Sequence, residues 1–180
     1  MHVHVYDSLY YPFDLKTRIE VCSFVKTNAE KIHFDLMNCH CQPNLNDCGV
    51  YAIACATELA LGKDPLLCSW AEQDMRSHLK MCLEMKKMVR FPTVGTRKVR
   101  FGTRFRKTIV EEVFCICRLP NEKCKPMIQC GNCRKWYHNS CVSIPENVCK
   151  SLYWKCNKCE TYEEVKQQNF GNDNVTIITT

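Results

Sequence analysis

The stretch that decides the fold is residues 115–159, CICRLPNEKCKPMIQCGNCRKWYHNSCVSIPENVCKSLYWKCNKC. Eight of its side chains are of zinc-ligand type and stand in four closely spaced pairs, namely Cys115 with Cys117, Cys130 with Cys133, His138 with Cys141, and Cys156 with Cys159. Two ligands a few residues apart reach one ion from a single tight turn, and a structural zinc takes four ligands. The spacing therefore predicts two Zn2+ ions.

The cysteine content of the whole chain supports a metal-binding role. Sixteen of the 180 residues are cysteine, seven of them between Cys22 and Cys82 and nine between Cys115 and Cys159. A reducing compartment leaves such thiols without disulfides to form. A segment as short as 115–159 buries too little apolar surface to fold unaided, whereas structural zinc supplies roughly 10 to 16 kcal/mol of apparent binding free energy. Cys124 and Cys149 exceed the ligand count, and we expect them to be plain thiols.

Composition excludes a membrane protein and a large multidomain enzyme. Hydrophobic residues make up 46% of the chain and charged residues 24%, close to the average of globular proteins. No apolar run approaches the roughly 18 residues of a membrane span, and the start, MHVHVYDSLYYPFD, lacks the apolar core of a signal peptide. We expect a soluble, intracellular protein without a membrane partner.

The order of the ligands, four cysteines, one histidine and three cysteines, with Trp154 two residues before Cys156, resembles a PHD finger over residues 114–160. The resemblance implies a small cross-braced fold in which the ligand pairs interleave. Cys115, Cys117, His138 and Cys141 would hold one ion, and Cys130, Cys133, Cys156 and Cys159 the other. A RING-type ubiquitin ligase normally has its histidine after three cysteines, so a ligase is the third reading of the chain.

Similarity to PHD fingers also implies a partner, the histone tail. Some members hold a methylated lysine in an aromatic cage, in which ring faces attract the cation by about 0.5 to 2 kcal/mol each. Trp136 falls on the usual cage tryptophan, and Phe114 and Met127 fall on two further walls. Asn121 stands where some readers have an aromatic residue, and Gly131 where some have an acid that pairs with a tail arginine. The alternative role for Trp136 is packing over the zinc site.

Residues 1–90 alternate strand and helix patterns, which predicts an α+β region. Strand patterns cover VHVYDSLY and IHFDLMNC, and a helix pattern covers DLKTRIEVCSFVKTNAEKI between them. A second helix is predicted from Cys48, capped by Asp47, to Leu61, where Gly62 stops it. A third is predicted over 69–88. Cys48 then lies in a first helical turn, where the helix dipole favours a thiolate, and Gln42 can donate to an oxyanion. A helix cap followed by a buried thiol is the plainer reading.

The sequence Q-x-N-x-x-D-C-G-V-Y at 42–51 resembles the nucleophile segment of ubiquitin-like-protein (SUMO-type) cysteine proteases, which have a papain-like fold. The resemblance implies Cys48 as nucleophile, Gln42 as oxyanion donor and Asp7 as the residue that orients a histidine. It also implies SUMO or another ubiquitin-like protein as partner. The family's histidine lies on a strand upstream of the aspartate, and no His-Trp pair stands there. His40 is the substitute left open, and we expect a degenerate domain or a piece of a longer active one.

Positive charge concentrates in residues 90–107, RFPTVGTRKVRFGTRFRK, which carry seven basic residues and no acidic one, against a net charge of +6 for the chain. Phosphate contacts with DNA, nuclear import and a solvated connector all fit this composition. The sequence thus predicts a partial protease domain at 1–90, a basic linker at 91–112, a PHD finger at 113–160 and a flexible tail at 161–180. The predicted protein is nuclear and binds histone tails. The alternative is an active deSUMOylating or deubiquitinating peptidase.

Overall fold

The computed structural model describes residues 1–122, 125–142, 144 and 154–161. Cys124, Cys149 and the predicted tail beyond Thr161 lie outside the described residues. The chain divides into two compact units, which we call unit 1, Met1–Asp14 with Lys31–Glu111, and unit 2, Leu15–Glu30 with Glu112–Thr180. The mixed helix and strand composition predicted from the sequence is confirmed. In the described part of the chain no helix is long and apolar enough to cross a membrane.

Unit 1 contains a three-stranded sheet in the order β1–β2–β5. These strands are β1 (His2–Val5), β2 (Lys31–Met37) and β5 (Phe105–Glu112). β1 and β2 run parallel, with His2 opposite His33 and Val5 opposite Leu36. β2 is the central strand, and its Ile32 and Phe34, which share one face of the sheet, are buried; the ring of Phe13 packs on Phe34 with centroids 5.2 Å apart.

Two helices pack beside a small antiparallel pair of strands in the same unit. They are α2 (Cys48–Ala60) and α3 (Glu72–Glu84), with β3 (Cys68–Trp70) paired to β4 (Thr93–Thr96). α2 matches its predicted span, and Gly62 follows it with a φ of +69°, the left-handed conformation that favours glycine. The helix predicted over 69–88 is shorter, because its first residues form β3.

Asp47 does not cap α2 with its side chain, contrary to the sequence prediction. Its carboxylate instead accepts hydrogen bonds from Asn44 Nδ2 and Arg76 Nε, each at 2.6 Å. The bond from Asn44 and the ion pair with Arg76 hold the pKa of Asp47 below its usual value. The Asp47 carboxylate thus pairs with the Arg76 guanidinium instead of accepting a hydrogen bond from the first turn of α2.

The core of unit 1 forms where α2, β3 and α3 meet. Its buried members are Tyr51, Ala54, Cys55, Cys68, Trp70, Met75 and Phe91. The rings of Tyr51 and Trp70 pack edge to face, with centroids 5.6 Å apart, an arrangement worth about 0.5 to 1.5 kcal/mol beyond area burial. Burial raises the pKa of the Cys55 thiol to about 12, so Cys55 is an inert core residue.

The basic segment 90–107 is built into unit 1 rather than running free as a connector. It contributes β4 and the start of β5. Four of its seven cations have partners in the unit: Arg90 with Glu58, Arg97 with the Asn38 carbonyl, Arg104 with Asp64, and Arg106 with the Tyr10 ring. These contacts could not be predicted, since the partners lie far away in sequence. DNA binding and the domain boundaries stay predictions.

Unit 2 combines helix α1 (Leu15–Phe24) with a two-stranded antiparallel sheet, β6 (Met127–Gln129) and β7 (Trp136–His138). Glu30 connects the segment after α1 to the rest of the unit. Its carbonyl accepts a 2.9 Å hydrogen bond from the Val113 amide, and its carboxylate pairs with the Lys135 ammonium. Residues 15–30, placed with 1–90 by the sequence, therefore pack in this unit.

Candidate metal centre and recognition pocket

The first ligand cluster of unit 2 contains Cys115, Cys117, His138 and Cys141, whose ligand atoms all lie within 4.8 Å of one another. His138 turns its Nδ1 toward the cluster, 3.3 Å from Cys117 Sγ. Its Nε2 is buried and has no hydrogen-bond partner within the described residues. The imidazole therefore offers Nδ1 to an ion. The main-chain amide of His138 donates to Cys115 Sγ at 3.4 Å, which favours a thiolate there.

The second cluster contains Cys130, Cys133, Cys156 and Cys159 and meets the same distance limit. Both clusters begin at a tight turn that ends on an arginine with positive φ, 57° for Arg118 and 60° for Arg134. In each turn the arginine amide donates at 3.0 Å to the carbonyl of the first cysteine. Left-handed backbone costs an ordinary residue about 1 to 2 kcal/mol, which metal binding offsets many times over.

Thiol ionisation shows why both clusters fit a cation. Burial raises the pKa of the Cys130 thiol, but backbone N–H groups of Cys133, Cys156 and Asn132 point at the sulfur and lower it to about 6. Burial and the neighbouring thiols of Cys156 and Cys133 raise the pKa of Cys159 to about 12. One thiolate forms readily in the cluster, and further negative charge needs a positive ion. Four close donors, all thiols in this cluster and three thiols with an imidazole in the other, favour zinc.

An open cavity of about 370 Å³ lies beside the first cluster. Its lining includes all three residues assigned to the cage, Phe114, Met127 and Trp136. Trp136 is 47% exposed, whereas Trp154 is buried against Tyr137 with ring centroids 5.4 Å apart. The two tryptophans therefore differ in environment: Trp154 packs in the interior of the unit and Trp136 presents its ring to solvent.

Comparison with known families gives the segment its identity. The family model of the PHD finger matches residues 115–159. Residues 115–159 are a PHD finger. The finger binds two zinc ions, as the sequence predicted, and the two clusters are groups that could hold them.

Curated relatives resemble the chain in the same region. The chain is 41% identical over 49 residues to "Lysine-specific demethylase phf2" of Danio rerio, which covers 27% of the chain and 5% of that relative. It is 33% identical over 60 residues to "Chromatin remodeling protein EBS" of Arabidopsis thaliana, 33% of the chain and 26% of the relative. It is 38% identical over 58 residues to "Nucleosome-remodeling factor subunit NURF301" of Drosophila melanogaster, 32% of the chain and 2% of the relative.

These alignments leave most of each relative outside the match. The chain spans about a quarter of one relative's length and a few hundredths of the other two. No solved structure is significantly similar to the chain. The comparisons thus support the PHD finger alone. They do not support the protease resemblance of residues 1–90 or its papain-like fold, and they do not support a RING-type ligase.

The pocket of the PHD finger also contains polar residues that the sequence did not single out. Glu112 and Lys125 both line it, as does Asn121, which the family resemblance already indicated. Lys125 is paired with Glu122 at 2.6 Å. The Lys135 ammonium lies 5.5 Å from the centroid of the Phe114 ring. One local indication in the sequence that Glu112 lines the pocket is its position two residues before Phe114.

The three residues assigned to thiol chemistry all lie in unit 1. Cys48 is the exposed first residue of α2, and Gln42 is buried in the loop before it. Gln42 Oε1 accepts from Ser8 Oγ at 2.6 Å, and its Nε2 donates to the Asn44 carbonyl. Asp7 Oδ1 accepts from the Leu9 amide at 2.9 Å. Among the described residues none of these hydrogen bonds reaches Cys48, and the catalytic roles of the three residues stay predictions.

His40 is held by a different set of neighbours. Its Nδ1 accepts the Trp70 amide at 3.1 Å, and its Nε2 lies 3.7 Å from Glu72 Oε1. Its ring stacks on Trp70, with centroids 5.9 Å apart. Burial lowers the pKa of His40, although Glu72 opposes this. Because Nδ1 accepts a main-chain N–H, the neutral ring carries its proton on Nε2, and His40 has a packing role here.

Proposed function

We propose that the PHD finger binds a histone N-terminal tail through a methylated lysine. The observation that carries the proposal is the convergence of Phe114, Met127 and Trp136 on one open cavity. A methylated ammonium has few or no protons to donate, so it is recognised by ring faces and a polarizable thioether rather than by hydrogen bonds. Two rings and one sulfur supply that environment.

Exposure supports a binding role for Trp136 over a packing role. A buried ring such as Trp154 contributes its area to folding, whereas nearly half of Trp136 remains in water. Contiguous aromatic surface beside a rigid scaffold is typical of recognition sites. The β6–β7 ladder and the adjacent zinc cluster supply the rigidity, since Trp136 and His138 belong to the same three-residue strand.

Two features of the pocket limit its strength. Asn121 contributes an amide where some readers have a third ring, and Gly131 contributes no carboxylate for a tail arginine. Each cation–ring contact contributes about 0.5 to 2 kcal/mol of binding free energy, so a two-ring cage binds methylated lysine more weakly than a three-ring cage by about that amount. We therefore expect micromolar rather than nanomolar affinity, with little dependence on a neighbouring arginine.

The names of the relatives favour a nuclear setting. They include a chromatin remodeling protein, a nucleosome-remodeling factor subunit and a lysine-specific demethylase. By similarity to them, the chain is proposed to act on chromatin in the nucleus. The test is a titration of methylated and unmethylated histone peptides against the full chain. Trp136→Ala should weaken binding, and Ile116→Ala, at another exposed apolar side chain of the finger, should not.

A second candidate function is a cysteine peptidase for ubiquitin-like proteins. It is favoured by the exposure of Cys48 at the first residue of a 13-residue helix, preceded by a buried Gln42 in the order that the resemblance requires. The missing base limits it, because general base catalysis contributes about 100- to 10,000-fold. Covalent labelling by an electrophilic SUMO or ubiquitin probe, abolished by Cys48→Ala, tests this function.

A further inference from the structure

The sheet of unit 1 carries a compact group of histidines around one carboxylate. β1 and β2 pair in parallel, with His2 opposite His33 and His4 opposite Asp35. Because residues two apart in a strand share a face, and paired residues of neighbouring strands do too, these four side chains lie on the same face of the sheet. Half of the six histidines in the chain are therefore gathered at one place.

The distances show that two of the three histidines lie near a single oxygen of Asp35. His2 Nδ1 lies 2.7 Å from Asp35 Oδ2, and His4 Nε2 lies 3.8 Å from the same oxygen. The rings of His2 and His33 stack with centroids 4.7 Å apart. Two imidazoles thus lie near the same carboxylate oxygen, and the ring of His33 stacks on one of them.

The carboxylate is buried, whereas two of the imidazoles are largely exposed. The side chain of Asp35 is only 4% exposed, and its second oxygen accepts a 2.7 Å hydrogen bond from Thr108 Oγ1 on β5. The side chains of His2 and His4 are 61% and 50% exposed. A buried, oriented carboxylate with an outer hydrogen bond is the arrangement that supports metal ligands in proteins.

We propose that His2, His4 and Asp35 form a binding site for a divalent transition ion of the zinc class, with His33 as a fourth ligand. Imidazole and carboxylate donors suit such ions, and the set has no sulfur, unlike either cluster of the finger. Metal–ligand bonds of about 2.0 to 2.2 Å separate two donors by more than a hydrogen bond does. His2 therefore turns away from Asp35 on binding, which its exposure permits.

The site differs from the finger clusters in strength as well as in chemistry. It is open to water on one side and uses neutral donors with a single charge, so its ion is the first to leave when a chelator is added. Occupancy does not depend on the recognition pocket, which lies in the other unit. A histidine–aspartate hydrogen bond with no metal role is the competing explanation.

Native mass spectrometry of the full chain, titrated with Zn2+, decides between them. We expect a third zinc above the two of the finger, and loss of that zinc alone in the double variant His2→Gln/His4→Gln and in Asp35→Asn. His78→Gln, which changes a histidine on α3, is the matched control and should keep three. With Co2+, the third equivalent should add ligand-field absorption without a sulfur charge-transfer band.

Two outcomes would overturn the proposal. One is a wild-type chain that binds only two zinc ions at every zinc concentration of the titration. The other is a third ion that persists in both His2→Gln/His4→Gln and Asp35→Asn. The glutamine variants change exposed side chains, so circular dichroism should show the wild-type fold, and Asp35→Asn retains an acceptor for Thr108. Binding of histone peptides should stay unchanged in all of these variants.

Discussion

Met127 and His138 are direct partners in the β6–β7 ladder, so a wall of the proposed recognition pocket and a member of the first ligand cluster share one register position. Gln129 is likewise opposite Trp136. The ladder has only three residues per strand, too few for independent stability. The shape of the pocket therefore depends on the metal beside it.

Removal of zinc should abolish tail binding together with the fold of the finger. Structural zinc contributes roughly 10 to 16 kcal/mol to such domains, more than the total stability of a small one. Excess chelator should bring peptide affinity, measured by fluorescence anisotropy, to background. Restoring two equivalents of Zn2+ should recover it. Peptide binding by a zinc-free chain would show that the pocket stands without its metal.

Acidification should release zinc from the finger. The pKa of Cys130 is lowered to about 6 and that of Cys115 to about 7, both below an ordinary thiol value. A group with a depressed pKa stabilises the folded state fully above its unfolded value, and this contribution disappears as the pH falls through the folded value. Zinc binding also displaces protons from the thiols, so the affinity for zinc falls as the pH falls.

A colorimetric zinc indicator, followed from pH 8 downward, checks this expectation. Release should begin below the pKa of the metal-free Cys130 thiol, about 6, because bound zinc competes with protons for the thiolate. Cys130→Ser should lose one of the two ions at neutral pH, while Cys41→Ser, at an exposed thiol of unit 1, should keep both. Zinc retention independent of pH down to strong acid would be incompatible with thiolate ligation.

Replacing Arg90 should destabilise unit 1. Glu58 is fully buried, and Arg90 holds both of its carboxylate oxygens at 3.0 to 3.1 Å. Breaking a buried ion pair costs about 3 to 5 kcal/mol, and we expect the lower end because the Arg90 side chain is 56% exposed. Urea unfolding of Arg90→Gln should show this loss.

Arg100→Gln is the matched control, an exposed arginine of the same basic segment, and should change stability by less than about 0.5 kcal/mol. Equal stability of the two variants would mean that the basic segment is a solvated connector after all. The comparison therefore also tests whether residues 90–107 belong to unit 1.

Cys48 should react with a small alkylating agent faster than Cys41. Both thiols are exposed, but only Cys48 lies in the first turn of a helix. The dipole is worth about 0.3 to 1 kcal/mol to an anion there, which corresponds to about a two- to fivefold difference in rate. Pulsed iodoacetamide labelling with peptide mass spectrometry measures both sites at once. Identical rates would remove the basis for an activated Cys48.

The two groups of candidate zinc ligands were predictable because the spacing within each pair is local. The turns from Cys115 to Cys117 and from Cys130 to Cys133 form within a few neighbouring residues. Helix α2 is likewise indicated by the local sequence between Cys48 and Gly62. Contacts between distant segments were not predictable. The ion pair of Glu30 with Lys135 joins residues far apart in sequence, and nothing near Glu30 indicates it.

The same distinction explains the errors. Asp47 has the right type and position for a helix cap, yet Arg76, 29 residues away, takes its carboxylate. The residues TVGT of β4 lack an apolar alternation and form a strand only because β3 is beside them. For the pocket, a resemblance supplied Phe114, Met127 and Trp136, and the fold added Glu112 and Lys125.

The central claim is that an aromatic pocket on a two-zinc finger recognises methylated lysine. Isothermal titration of a methylated histone N-terminal peptide into the zinc-loaded full chain tests it most directly. We predict binding that weakens at least tenfold, about 1.4 kcal/mol, on Trp136→Ala and on removal of the methyl groups, with Ile116→Ala unchanged. Equal affinity of wild type and Trp136→Ala for the methylated peptide would contradict the account.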